Sequence, residues 1–154
     1  MSIVVCSLID DNNILLLKRI KCDYIGYWSF PGGKIEKREH ALDAAIRELR
    51  EESGIDAKVS NYLGLVSEHL IEDGIHKQHF LLHFYELHTE NPTIISGNEG
   101  RLAWFDLDTI ENYKDTIIPS DYLMIDKMVK RKEKNHYSCV IEKLGDKHIL
   151  RKFE

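Results

Sequence analysis

The stretch GKIEKREHALDAAIRELREESGI, Gly33 to Ile55, constrains this chain more than any other, because it joins a glycine loop to a helix crowded with carboxylates. In the preceding Phe30-Pro31-Gly32-Gly33 the proline fixes one φ, and the paired glycines let the backbone approach a bound ion or phosphate closely. The spacing predicts a helix from His40 to Ser53, ended by Gly54, with Ala41, Leu42, Ala45, Ile46 and Leu49 as its apolar face. At ~100° per residue Glu48 and Glu52 lie ~40° apart and Glu51 ~60° on the far side of Glu48, so all three project into one arc. Like charges at these spacings oppose the helix by a few tenths of a kcal/mol per pair. A solvated acidic face balanced by Arg47 and Arg50 is one reading; an all-oxygen site for a hard divalent cation, Mg²⁺ or Mn²⁺ rather than Zn²⁺, is the other.

The longer pattern decides between them. It reads G-x5-E-x7-R-E-U-x-E-E-x-G-U, where U is aliphatic, and Gly33, Glu39, Arg47, Glu48, Leu49, Glu51, Glu52, Gly54 and Ile55 fill every constrained place. The stretch resembles the Nudix box without a departure. The resemblance implies an α/β fold, the Nudix α/β/α sandwich with a central mixed sheet. It also implies hydrolysis of a nucleoside diphosphate linked to another moiety. The metal would be held by Glu48, Glu51, Glu52 and a main-chain carbonyl of Gly32 or Gly33, with Arg47 orienting a glutamate and Glu39 supporting the loop. Glu99, in NEGRLAWF, resembles the loop glutamate that returns to the metal cluster of MutT-type members as ligand or general base. Glu48, Glu51 and Glu99 are therefore the candidate bases.

Composition sets outer limits. A chain of 154 residues with 43% hydrophobic content suits one domain with a proper core. The net charge of −5 argues against nonspecific binding to duplex nucleic acid or an acidic membrane. No apolar run reaches the ~18 residues of a spanning helix, and Ser2 to Cys6 lacks a signal peptide's charged lead, so a cytoplasmic protein, monomer or homodimer, is expected. Cys6, Cys22 and Cys139 form no CxxC pair and read as reduced thiols.

Along the chain, Ile3 to Ile9 and Ile14 to Lys18 predict a hairpin, and Arg19 at its end is placed to meet phosphate. Trp28 and Phe30 sit in WSFPGG, which resembles the entry to the box in MutT-type proteins; the tryptophan either stacks on a base or packs beneath the loop. Ala57 to Glu68 and Lys77 to His88 predict two strands around Glu72-Asp73-Gly74. In the second, Phe80, Leu82 and Phe84 share one face, and His79, Leu81, His83 and Tyr85 the other. A zinc site at His76, His79 and His83 is disfavoured, since His76 falls on the opposite face and no thiolate is near. His79 and His83 are instead expected to face the substrate.

Ser120 is expected to cap a helix over Tyr122 to Arg131. In MutT-type proteins this turn reaches the base pocket, so Ser120 and Asp121 are also substrate candidates. Ser138 to Lys143 and Lys147 to Phe153 predict a C-terminal hairpin, which divides the chain into a hydrolase domain over residues 1–135 and an extension over 136–154 packed on it.

WSFPGG and the placement of Glu99 favour a MutT-type substrate, a (d)NTP, oxidised forms included, cleaved to nucleoside monophosphate and pyrophosphate. ADP-ribose hydrolases of the family often carry a proline where this chain has Leu70, dinucleoside polyphosphate hydrolases a tyrosine near Ile71 and Glu72, and the NADH type an SQPWPFPxS-like stretch that is absent here. ADP-ribose or nucleotide-sugar hydrolysis is the alternative within the family. A noncatalytic nucleotide sensor would have lost box carboxylates, and a hydrolase of RNA ends would need a basic track.

Overall fold

The computed structural model describes residues 1–95 and 100–154. The chain opens with β1 (Ser2–Asp10) and β2 (Asn13–Arg19), an antiparallel pair whose turn residues Asp11 and Asn12 both take positive φ, as a tight two-residue hairpin requires. Two short strands follow, β3 (Trp28–Ser29) on β2 and β4 (Gly32–Lys34) on β1. Helix α1 (Ala41–Ser53) comes next and ends at Gly54, whose φ of 72° and N–H bond to the Arg50 carbonyl close the last turn. Two long strands, β5 (Lys58–Glu72) and β6 (Ile75–His88), form the hairpin expected around Asp73-Gly74, each longer than the sequence suggested. Then come β7 (Gly100–Asp106), a 3-10 turn at Ile110–Thr116 and α2 (Pro119–Met124), which continues as a π turn over Ile125–Lys130. The C-terminal hairpin is β8 (His136–Leu144) and β9 (Lys147–Phe153).

Among the described residues the strands join in the order β3-β2-β1-β6-β5-β8-β9, with β4 added on β1 and β7 on β2. The sheet is mixed: β1 runs parallel to β6, and β5 parallel to β8. Alternation along β1 explains the layers. Val4, Cys6 and Leu8 face one side and meet Ala44, Ala45 and Leu49 of α1. Val5 faces the other, in a core shared with Val66, Phe84 and Met124 of α2. Burying one such leucine or phenylalanine contributes ~1.5–3 kcal/mol. The result is the α/β/α arrangement expected, with one helix on each face. The C-terminal hairpin is part of it, since Tyr137, Cys139 and Ile141 belong to the α2-side core.

Two local expectations are corrected. Leu42 is exposed and Ala44 takes its place under α1, because the buried arc is set by contact with β1. The N-cap of α2 is Ile118, with Pro119 in its first turn, so Ser120 does not cap but lies wholly buried inside the helix.

Candidate active site

Helix α1 presents its acids to the glycine loop at the C-terminal end, where the macrodipole already disfavours negative charge. Arg47 organises them. Its Nε and Nη2 donate to the two oxygens of Glu39 at 2.7 and 2.9 Å, its Nη1 to Glu48 at 2.7 Å and Glu51 at 3.2 Å, and Nη2 also to the Lys34 carbonyl at 3.1 Å. The Arg47 hydrogen bonds, with the Glu36 N–H, hold the Glu39 carboxyl down at about 2. Glu48 is shifted the other way, mainly by burial, with Glu51 and Glu39 adding repulsion that Arg47 partly offsets. Glu52 is almost fully buried and accepts the Gly32 N–H at 3.2 Å. A methyl group on Gly33 would stand 2.5 Å from both carboxylate oxygens of Glu48, so helix and loop touch through a position only glycine leaves open.

These donors suit a hard divalent cation: carboxylate oxygens crowded against a bare glycine backbone, with no thiolate or imidazole among them. Their partners include Arg47 and the Gly32 amide, and among the described residues no three His, Cys, Asp or Glu side chains are already grouped around a common metal position. Glu99 lies outside the described residues.

The acids open onto a cleft of about 760 Å³, which runs from Glu48, Glu51 and Glu52 past Phe30 to Tyr24, Glu68 and Asp121. Arg19 and Phe30 line it as expected. Arg19 is steadied by its Nε bond to the Asp23 carbonyl, 2.7 Å, and Phe30 by its N–H bond to Asp121 Oδ2, 2.9 Å. Four other candidates lie outside its lining, among them Ser120, which is wholly buried within α2. Trp28 packs edge-on against Phe105, ring centroids 5.0 Å apart, outside the cleft lining. His79 and His83 stand on the α1 side of the sheet, bonded to Ser67 at 2.8 Å and Tyr62 at 3.2 Å. The residues of β6 that line the cleft are Gln78, Phe80 and Leu82, of opposite register. The strand alternation was read correctly, but the polar face is turned away from the cleft. His76 also departs from expectation. An irregularity in the β5–β6 register at Leu70/Ile71 brings it beside His69, 2.8 Å between ring nitrogens, and His69 stacks on His79.

Sequence reasoning missed Glu68. It lies in β5 between Val66 and Leu70, all three buried. An acid inside an inward apolar stripe was the available signal. Tyr24 donates its hydroxyl to Glu68 Oε1 at 2.9 Å. Burial raises the Glu68 pKa, which Ser120, Tyr24 and Cys139 partly counter, yet among the described residues neither Oε2 nor the Ser120 hydroxyl completes a well-formed hydrogen bond.

Asp121 beside it is held up at about 7 from its usual 3.8, chiefly by burial and secondarily by Glu68, against the opposing Phe30 N–H and Arg19. Between about pH 4 and pH 7 the folded protein therefore keeps a proton that the unfolded chain has released, and the stability this contributes is lost as pH rises through that window. The unfolding free energy of wild type minus that of Asp121→Asn is expected to fall with rising pH, by at most ~1.4 kcal/mol per unit. Denaturant titrations at several pH values measure it, the slope belonging to the coupled Asp121–Glu68 pair; a flat difference would deny the shift.

Comparison with known proteins agrees with this geometry. The model of the NUDIX domain matches residues 1–127. An uncharacterised Nudix hydrolase of Bacillus subtilis is 33% identical over 127 residues, covering 81% of this chain and 77% of its own. The CTP pyrophosphohydrolase of Escherichia coli is 35% identical over 103 residues, 66% of this chain and 73% of its own. The crystal structure of a MutT protein from Bacillus halodurans superposes with a TM-score of 0.74 over 99% of this chain and 95% of that one, at 22% identity.

Proposed function

This chain belongs to the Nudix hydrolase family, and from that premise we propose that it hydrolyses a (d)NTP, canonical or oxidised, to nucleoside monophosphate and pyrophosphate. The observation that carries the reading is the set of box carboxylates at one end of a cleft whose other end is lined by Phe30, Phe80 and Asp121, so that one nucleotide can extend its phosphates to the acids and its base to the far wall. The relation to a CTP pyrophosphohydrolase supports a triphosphate substrate.

Glu48, Glu51 and Glu52, with a main-chain oxygen of Gly32 or Gly33 and with Glu99, are the residues to hold the divalent cation, Mg²⁺ or Mn²⁺. Such a cation supplies neutralisation of pyrophosphate oxygens and water activation near neutral pH. Arg47 aims Glu48 and Glu51 while Glu39 fixes the guanidinium in place. One of Glu48, Glu51 and Glu99 takes the proton from the attacking water. Arg19 at the cleft wall is placed to meet a phosphate oxygen. Residues 1–135 carry the chemistry, and 136–154 complete the sheet that supports it.

Chromatographic analysis of products tests this, with the purified protein and Mg²⁺ against canonical and oxidised (d)NTPs, ADP-ribose, nucleotide sugars and dinucleoside polyphosphates. Monophosphate plus pyrophosphate from triphosphates is the expected result. Cleavage confined to diphosphate-linked compounds would overturn the substrate and leave the carboxylate site standing.

A further inference from the structure

Glu68 is 3% exposed, lines the cleft, and carries an Oε2 without a hydrogen-bond partner among the described residues. A buried carboxyl oxygen left in this state is destabilising until something donates to it. Its other oxygen is already occupied by Tyr24, which steers the carboxyl and leaves Oε2 as the open acceptor. Asp121, 7% exposed, stands close enough to Glu68 for that carboxyl to raise its proton affinity and likewise lines the cleft, its Oδ2 engaged by the Phe30 N–H. Phe30 and Gly32 tie this end of the cleft to the other: the Phe30 N–H binds Asp121, and the Gly32 N–H, at most ~7 Å of chain away, binds Glu52. The acceptor pair therefore lies where the base of a nucleotide would reach when its phosphates meet the box acids, and Phe80 and Leu17 offer apolar surface there.

We infer that Glu68 is a specificity-determining residue, accepting a hydrogen from the exocyclic amino group of a nucleobase whose second amino hydrogen goes to Asp121. Above the pH of about 7 at which Asp121 releases its proton, an amino group suits the pair because it carries two donors, whereas a ring N–H carries one and a keto oxygen would meet an acceptor at Asp121, so the ligand pairs are compared at about pH 8. Cytosine, guanine and adenine satisfy this; uracil and hypoxanthine do not. The inference rests on the nucleotide reading above.

The test is equilibrium binding of monophosphates by calorimetry, which requires no turnover: GMP against IMP and CMP against UMP, for wild type, Glu68→Met and Glu68→Gln, each checked for an unchanged melting transition. Wild type is expected to bind the amino-bearing member of at least one pair about 10-fold tighter. Glu68→Met, which removes the acceptor outright at similar volume, should bring that ratio near unity by weakening the amino-bearing ligand alone. Glu68→Gln should fall between them. No preference in the wild type, or an equal loss for all ligands in Glu68→Met, would overturn the inference; the equal loss would assign Glu68 to support of the wall. Turnover separates the two readings: hydrolysis of triphosphates without base preference defeats this inference alone, and base-selective binding without triphosphate hydrolysis defeats the proposed reaction alone.

Discussion

Glu52→Gln is expected to lower kcat by about 1,000-fold and to leave the fold intact. Glu52 lies in the last turn of α1, almost fully buried, with a carboxylate oxygen 3.2 Å from the Gly32 N–H. A glutamine keeps that shape and an oxygen to accept the amide, so packing changes little. What it removes is a negative charge from the donor set, and a cation site that loses one carboxylate forfeits several kcal/mol of transition-state stabilisation, with ~1.4 kcal/mol equal to tenfold in rate. Stability should hold or rise by a few tenths of a kcal/mol, because the charge sits at the negative end of the helix dipole and four residues from Glu48. Product chromatography under saturating Mg²⁺ and a calorimetric melt read the two effects separately. Undiminished Mg²⁺-dependent turnover in this variant would remove the box acids from the chemistry.

Gly33→Ala is the second large effect, and its neighbour serves as the control. The nearest atoms to the new methyl group are all at the far end of the Glu48 side chain, 2.5 Å to each oxygen, and that end can swing away. Activity should fall about 100-fold, since a displacement of about 1 Å in a positioned group costs that much, while the melting temperature stays within about 3 °C. In Gly32→Ala the methyl group would collide with the Val4 carbonyl across the β1–β4 pairing, backbone that has nowhere to go. That variant should lose about 2–4 kcal/mol of stability. Similar melting losses in both would mean that the Gly33 contact is structural and that Glu48 is not what the glycine accommodates.

Much of the site was legible because it is local. Helical spacing alone brings Glu48, Glu51 and Glu52 together, and Arg47 bonds to Glu48 and Glu51 on the same helix. The hairpin turns were readable for the same reason, since Asp11, Asn12, Asp73 and Gly74 take the positive φ that their residue types tolerate. Alternation along β6 was also correct as far as it went. Period-two patterning says which residues share a face, but not which face becomes the cleft; that depends on α1 covering one side and α2 the other. Hence the pattern points His79 and His83 toward the substrate, whereas Phe80 and Leu82 line the cleft.

What only the tertiary structure decided is the far wall. Tyr24, Glu68, Asp121 and Cys139 come from a loop, β5, α2 and β8, and they meet because β8 runs parallel to β5 while α2 closes over that face. No local spacing encodes such a meeting. A register irregularity re-aims His76, and contact with Phe105 takes up Trp28, for reasons equally remote from their own neighbours in sequence. The sequence by itself determined the family and the grouping of the candidate acids, because i, i+3 and i+4 geometry is intrinsic to a helix. The packing of distant elements determined the other end of the cleft, because burial and the solvation of a carboxyl group depend on everything that surrounds it.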